Sequence, residues 1–453
     1  MAAAVSKAGG EGEGRREAVG EVKAASPFER LPDELLLAVL EQVHLDTPLL
    51  KVDRLAALAA DKRLYRLARV VAFRAVGPSS QENQVVILPR LFARIYLHPL
   101  VKSLEYIYSH TFVTYDTALL PLLRNLTSLT LKDLDPPGNA QQPLLVATSL
   151  TAMLKQLRNL ERLVLKRASW FAFEDPSFRL CRDLPSLRSL KLEDCAAEDA
   201  GCSQLLEDLS NIVHLELDCF RLEAAYSRIP WSSVRSLSLT VTDGSDILLP
   251  EADALLNSLE RAIYPEASAK PQLIPLRTLS LGGWALDMED RHDPDMYRHG
   301  LGSQSLTKLF RLLAGTQLKR LRLWCPEELR NSQRDVTLPS VKVLIFDGVS
   351  MGDIRVQDLP AFPNLLDVFP NLEHLVLDNI SIQDRETGIL KPPPHELTPS
   401  ILALQYPTVS SLVQYLTASR VLSITWRRPC EAAWLRWERN SPTQEFKLER
   451  YRR

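Results

Sequence analysis

The sequence predicts an α/β protein: a small N-terminal helical domain, then an irregular repeat solenoid with a parallel sheet on its concave face. Three observations predict it. A six-residue apolar pattern returns from residue 101 almost to the C-terminus. Its apolar positions have the parity of a strand, not the period of a helix. Ahead of the first copy, "FERLPDELLLAVLEQV" at 28–43 has the leucine content and polar punctuation of an amphipathic helix.

In chain order, residues 1–27 come first. Their Gly, Ala and Glu content and mixed charge, with no apolar core segment, read as a disordered leader and not as a secretory signal. In the helix that follows, Leu36, Val39, Leu40 and Val43 make an i, i+3, i+4, i+7 stripe, with Leu35 and Leu37 on either side. Pro32 suits a first turn, which needs no N–H partner, and Asp33 and Glu34 complement the positive helix end. A domain of about 50 residues cannot bury Leu35, Leu36, Leu37 and Leu40 together. Part of that surface must meet another chain, or else dock on the repeats.

The repeating units are "VKSLEY" at Val101, "LTSLTL" at Leu126, "LERLVL" at Leu160, "LRSLKL" at Leu187 and "IVHLEL" at Ile212. "VRSLSL" at Val234, "LRTLSL" at Leu276, "LKRLRL" at Leu318, "VKVLIF" at Val341 and "LEHLVL" at Leu372 continue the series, with a worn "SRVLSI" at Ser419. Apolar residues occupy positions 1, 4 and 6. Most starts lie 22 to 34 residues apart, the signature of leucine-rich repeats. One unit cannot bury its own leucines, so units stack, strands inside and helices outside. "LLVATSLTAMLKQL" at 144–157 and "EADALLNSLERAI" at 251–263 are expected to be two outer helices. The intervals from 234 to 276 and from 276 to 318 are longer, at 42 residues, so these units carry insertions, one with "GGWALDMEDRHDPDMYRHG". "KPPPHELTP" is another projecting loop. At position 9, where an Asn or Cys often bonds into the turn, only Cys195 fits, so a distorted arc is expected.

These repeats give the opening stretch a meaning. "RLPDELLLAVLEQV" resembles the start of an F-box, a Leu-Pro followed by an acidic, leucine-rich helix. "LAALAADKRLYRLARVVAFRAV" at 55–76, with its Lys62-Arg63 pair, is similar to the helices that close many F-boxes. The chain thus resembles the F-box/leucine-rich-repeat proteins of fungal type. It departs from them in "HLDTPLLKVDR", which lengthens the spacing between Leu31 and Lys62, and in an aromatic residue present only as Tyr65. The resemblance divides the chain into a leader at 1–27, an F-box at 28–76, a solenoid at 77–430 and a C-terminal cap helix with basic tail at 431–453. It implies a substrate receptor of an SCF-type ubiquitin ligase. Leu31, Pro32, Leu36, Leu37 and Leu40 would contact a Skp adaptor, and through it the cullin and RING subunits. The alternative is a stand-alone repeat scaffold whose degenerate F-box binds no adaptor.

Composition agrees with a protein-binding role. A formal net charge of −2 gives no support to nucleic acid or an anionic membrane as main partner. No apolar run reaches the roughly 18 residues of a membrane span. Six cysteines without a CxxC pair suggest reduced thiols of cytosol or nucleus, where the "NLT" sequon at Asn125 has no consequence. Phosphate-loop, nucleophile-elbow and zinc-protease motifs are missing, so no enzyme and no cofactor is expected. The acidic and histidine residues from Asp287 to His299 read as a solvated insertion, with nothing to fix a metal's coordination. A substrate would meet strand positions 3, 5 and 7. Lys132, Arg162 and Lys166 make a basic zone there; Glu193, Glu216 and Asp218 make an acidic one. Arg320, Arg322 and Trp324 then share one strand, and they are the expected contact for an unknown protein substrate. At the C-terminus "TVSSLVQYLTASRVLSITWRRPCEAAWLRWERN" reads as helix, strand and helix, with Trp434 and Trp437 capping the open end.

Overall fold

The computed structural model describes residues 31–46, 61–77, 91, 93–107, 120–132, 151–166, 177–196, 200–220, 223–241, 249–265, 271–282, 303–324, 336–347, 354–355, 365–378, 382–383, 413–414, 416, 419–427 and 433–452. The expected leader, the acidic insertion at 287–299 and the proline-rich loop at 391–399 lie outside them. The chain divides into two units, Met1–Phe73 and Arg74–Arg453.

In the first unit, α1 (Asp33–Asp46) and α2 (Lys62–Arg74) share one core. Leu36 and Leu40 from α1 meet Leu67, Ala68, Val71 and Ala72 from α2. Asp61 caps α2, its carboxylate accepting the backbone N–H groups of Arg63 and Leu64 at 2.8 and 3.1 Å. Arg63 then reaches across to α1. It donates to the Asp33 carboxylate and, at 2.6 Å, to the Leu31 carbonyl. Arg66 holds the other Asp33 oxygen at 2.8 Å. A cation in the first turn of a helix opposes the helix dipole. Asp33 and Asp61 offset that here, so the basic residue of the motif ties two helix starts together.

The second unit opens with β1 (Ala75–Val76), β2 (Ser103–Ile107), β3 (Ser128–Lys132) and β4 (Arg162–Lys166). Then come β5 (Ser189–Ala196), β6 (His214–Phe220), β7 (Ser236–Val241), β8 (Thr278–Gly282) and β9 (Arg320–Trp324). The series continues with β10 (Val343–Asp347), β11 (Ile354–Arg355), β12 (His374–Asp378), β13 (Ile382–Gln383), β14 (Ser423–Arg427), β15 (Ala433–Glu438) and β16 (Lys447–Arg452). All but β11 and β13, which pair with each other, form one 14-stranded sheet in chain order. β1 pairs with β2, so Ala75 and Val76, within the span expected for the F-box, are bonded to the sheet.

Position 4 of each unit stands in a single row, from Leu104 through Leu129 and Leu163 to Leu375 and Ile424. Positions 1, 4 and 6 are buried along the sheet, for example Leu187, Leu190 and Leu192. One backbone device repeats. The carbonyl at position 2 accepts the N–H groups of positions 2 and 3 in the next unit. Lys319 O does so from Lys342 and Val343 at 2.9 and 3.0 Å, and Arg235 O from Arg277 and Thr278 at 2.8 and 3.0 Å. The second case spans a 42-residue interval, so the insertion leaves the rung unchanged.

Between the strands, in chain order, come α3 (Leu180–Asp183), α4 (Ala200–Leu206), α5 (Glu223–Tyr226), α6 (Leu249–Ile263), α7 (Ser303–Leu313) and α8 (Leu365–Val368). Helix α6 covers the expected 251–263 and packs on α5 and α7. Of the expected helix at 144–157, residues 151–154 are helical and 144–150 lie outside the described residues. Phe310 of α7 meets Phe369 edge-on at 5.8 Å. Cys195 does bond into its turn, to the carbonyls of Glu193 and Leu165 at 3.3 and 3.9 Å. Cys181, Cys195 and Cys202 are buried. Among the described residues no helix is long and apolar enough to cross a membrane.

Two expectations need correction. The last unit starts at Val421, two residues after Ser419: Val421, Ile424 and Trp426 are the buried triplet, and Ile424 pairs with Leu375. A slip of two keeps every side chain on its face, so alternation could not fix the register. The cap helix at 431–453 is also overturned. Strands β15 and β16 run antiparallel there, beyond β14. Leu435 and Trp437 are buried at strand spacing, whereas Trp434 has the opposite parity to Trp437.

Candidate functional site

In the first unit, the residues expected at an adaptor are mostly occupied internally. Leu36 is 2% and Leu40 7% exposed. Leu31 and Leu37 are half-buried against the same core, and Pro32 is exposed. Leu36 and Leu40 are therefore corrected from partner contacts to the core of the helix pair. The cause is the azimuth of α1: at about 100° per residue, the inner stripe centres on Leu36, Leu37 and Leu40. Val39, expected in that stripe, is turned out. It is 49% exposed, beside Leu35 at 53%. With Pro32 they make an i, i+3, i+7 apolar line on the outer side of α1.

In the second unit, the expected trio occupies alternate residues of β9, and Arg320 and Arg322 share one face. Arg320 is exposed. Arg322 is half-buried and reaches Asp378, two strands away, at 3.5 Å. Trp324 pairs with Asp347 through the sheet register, and its side chain lies outside the described residues.

The expected basic and acidic zones are largely spent on each other. Lys132 pairs with Glu105. Lys166 donates to Glu193 at 2.6 Å, and Lys191 to Glu216 at 2.7 Å. Burial opposes the charge on Glu193, but hydrogen bonds from Lys166 and Lys191 prevail and hold its carboxyl below the usual range. Asp218 is the exception. Burial, then Asp194 and Glu193, push its pKa up to about 6, and its Oδ1 is buried without a hydrogen-bond partner among the described residues. His374, at position 3 of β12, shares a 2.8 Å hydrogen bond with Ser423 of the neighbouring strand, so it is a strand-to-strand link.

No family model and no curated protein matches the chain. Among solved structures it is similar to a chain of the TLR13–ssRNA13 complex, with 16% identity over 63% of this chain and a TM-score of 0.35. The match covers 33% of that chain, so this sequence spans about a third of its length. It is similar to a chain of the Rad7 and Elc1 complex in yeast, with 14% identity, covering 78% of this chain and 90% of that one, at a TM-score of 0.33. An internalin, inlF, from Listeria monocytogenes gives 13% identity over 64% and 78%, with a TM-score of 0.27.

The geometry offers surfaces for binding. Among the described residues no group of three or more His, Cys, Asp or Glu is placed to hold a metal ion. The sequence reading named Leu35 among the leucines that cannot all be buried and put Val39 in the inner stripe; that these two face outward needed the azimuth of α1, which the packing of α2 decides. The cations at position 2 of successive units were passed over because only positions 3, 5 and 7 were read. Aligning the units one above another would have displayed them.

Proposed function

We propose that this chain is the substrate-recognition subunit of an SCF-type ubiquitin ligase. The N-terminal helix pair acts as the F-box and docks on a Skp adaptor, and through it on cullin and RING subunits; the repeat sheet holds a protein substrate. The supporting observation is the outward apolar line of α1, in which Leu35 and Val39 are about half exposed. A helix pair that fills its core with Leu36 and Leu40 gains nothing from two further aliphatic side chains in water. Each such side chain contributes about 1.5–3 kcal/mol when a partner covers it, before association costs. The chain itself makes and breaks no bond in this reading. It raises the local concentration of a substrate lysine near the charged conjugating enzyme.

Capture on immobilised recombinant Skp adaptor tests this. Wild type should be retained and Leu35→Asp/Val39→Asp should not, with both proteins melting alike. Equal retention of the two would move the contact elsewhere. The second reading, a repeat scaffold without an adaptor, is favoured by the internal use of Leu36 and Leu40. Absence of wild-type capture selects it.

A further inference from the structure

Position 2 of the repeat units carries a run of like charge. Arg235, Arg277, Lys319 and Lys342 occupy it in four successive units, at the starts of β7, β8, β9 and β10. Their backbones are hydrogen-bonded in sequence, Arg277 N to Arg235 O, Lys319 N to Arg277 O and Lys342 N to Lys319 O, at 2.8–2.9 Å. All four side chains are exposed, and Arg320 adds a fifth cation beside Lys319. Adjacent rungs lie about 4.8 Å apart, where like charges destabilise one another. Elsewhere the sheet sets acids beside cations, as in Lys166–Glu193 and Lys191–Glu216. Among the described residues, the side chains of Arg235, Arg277, Lys319 and Arg320 have no ion-pair partner.

The run leads into a groove of about 790 Å³ at the same edge of the strands. Lys319, Lys342, Asn371, Glu373 and Arg420 line it, and Pro442 from the loop between β15 and β16 stands at one side. The row supplies its own example of a ligand: Glu373, in the next unit, places its carboxylate on Lys342.

We propose that this row and groove dock an extended, Asp- and Glu-rich peptide of a protein partner, read by Arg235, Arg277, Lys319 and Lys342. Four rungs span about 14 Å, the length of about four extended residues. Charge spread over that length matches several carboxylates better than one concentrated anion. Nucleic acid fits less well, because the side chains neighbouring the row at position 3 include Ser236 and Thr278, and among the described residues no aromatic side chain lines the groove for bases to stack on. The inference rests on the protein-receptor reading for its biological use, but its measurement needs no adaptor, so the two can fail separately.

The test is fluorescence polarisation of the full chain with a labelled eight-residue polyglutamate peptide, beside an eight-nucleotide oligo-dT. Wild type should bind the peptide, more weakly as salt rises. Arg277→Glu/Lys319→Glu should lose about tenfold or more in affinity. Arg158→Glu, which reverses an exposed cation outside the row, should bind within about twofold of wild type. In wild type, the peptide should also protect Lys319 from acetylation, a readout that does not depend on any variant folding. The proposal is overturned if the double variant binds like wild type, if Arg158→Glu loses as much, or if oligo-dT binds more tightly. Failure of wild type to bind the peptide, or of the peptide to shield Lys319, overturns it equally.

Discussion

Among single residues, Asp218 carries the least compensated charge described in the sheet. Burial raises its pKa first, Asp194, Glu193 and Glu216 add to that, and Lys191 opposes it, leaving a value of about 6. The unfolded chain would release this proton near 3.8. Between those two values the folded state holds a proton that the unfolded state lacks, so this group's contribution to stability falls as pH rises through about 6. Asp218→Asn should therefore stabilise the protein at pH 7.5 by about 1 kcal/mol, discounted for the solvent that reaches the carboxylate. The gain should shrink by pH 5, where wild type is already mostly protonated. Thermal melts of both proteins at the two pH values check this, and an equal gain at pH 5 would contradict it. The sequence placed Asp218 in an acidic zone. It did not reveal that Lys191, the nearby cation, is already shared with Glu216 and Glu193.

At the scale of elements, the legible parts were those whose periodicity has only one solution. Strands with apolar positions 4 and 6 were readable because that parity excludes a helix, and α6 because its apolar period is helical. The parts that failed had two solutions. A two-residue slip of the last unit preserves alternation, and "AWLRWE" satisfies either a helix with Trp434 and Trp437 at i, i+3 or a strand with Leu435 and Trp437 inward. Packing on β14 chose the strand. The azimuth of α1 was undecided in the same way until Arg63 and the core of α2 fixed it. Arg63→Ala removes the bonds to Asp33 and to the Leu31 carbonyl together. Since the ion pair is partly exposed, the expected cost is about 1–2 kcal/mol. Hydrogen exchange should quicken at the α1 amides while those of β5 to β7 keep their protection. Unchanged exchange in α1 would show that the hydrophobic core alone orients the helix.

For the whole molecule, the open end of the sheet is the point of weakness that repeat architectures must close. The hairpin β15–β16 covers the edge of β14 here, and Arg439 fastens it. Its guanidinium donates to the carbonyls of Val421, Pro442, Gln444, Leu416 and Ser419, using all five N–H groups, and stacks 4.4 Å from the Phe446 ring. Arg439→Met keeps the volume and leaves those carbonyls without donors, at an expected cost of about 3 kcal/mol or more. Calorimetry should show a lower melting temperature, and light scattering earlier aggregation as the edge of β14 is bared. Wild-type behaviour in both would mean that the hairpin holds by its ladder alone. The paired rung at position 2 bears on how such a protein can diversify. The same bond forms across 23 residues, from Lys319 to Lys342, and across 42, from Arg235 to Arg277. The length of chain between two strands is therefore not what sets the rung, and a lineage can lengthen such an interval without altering the bond.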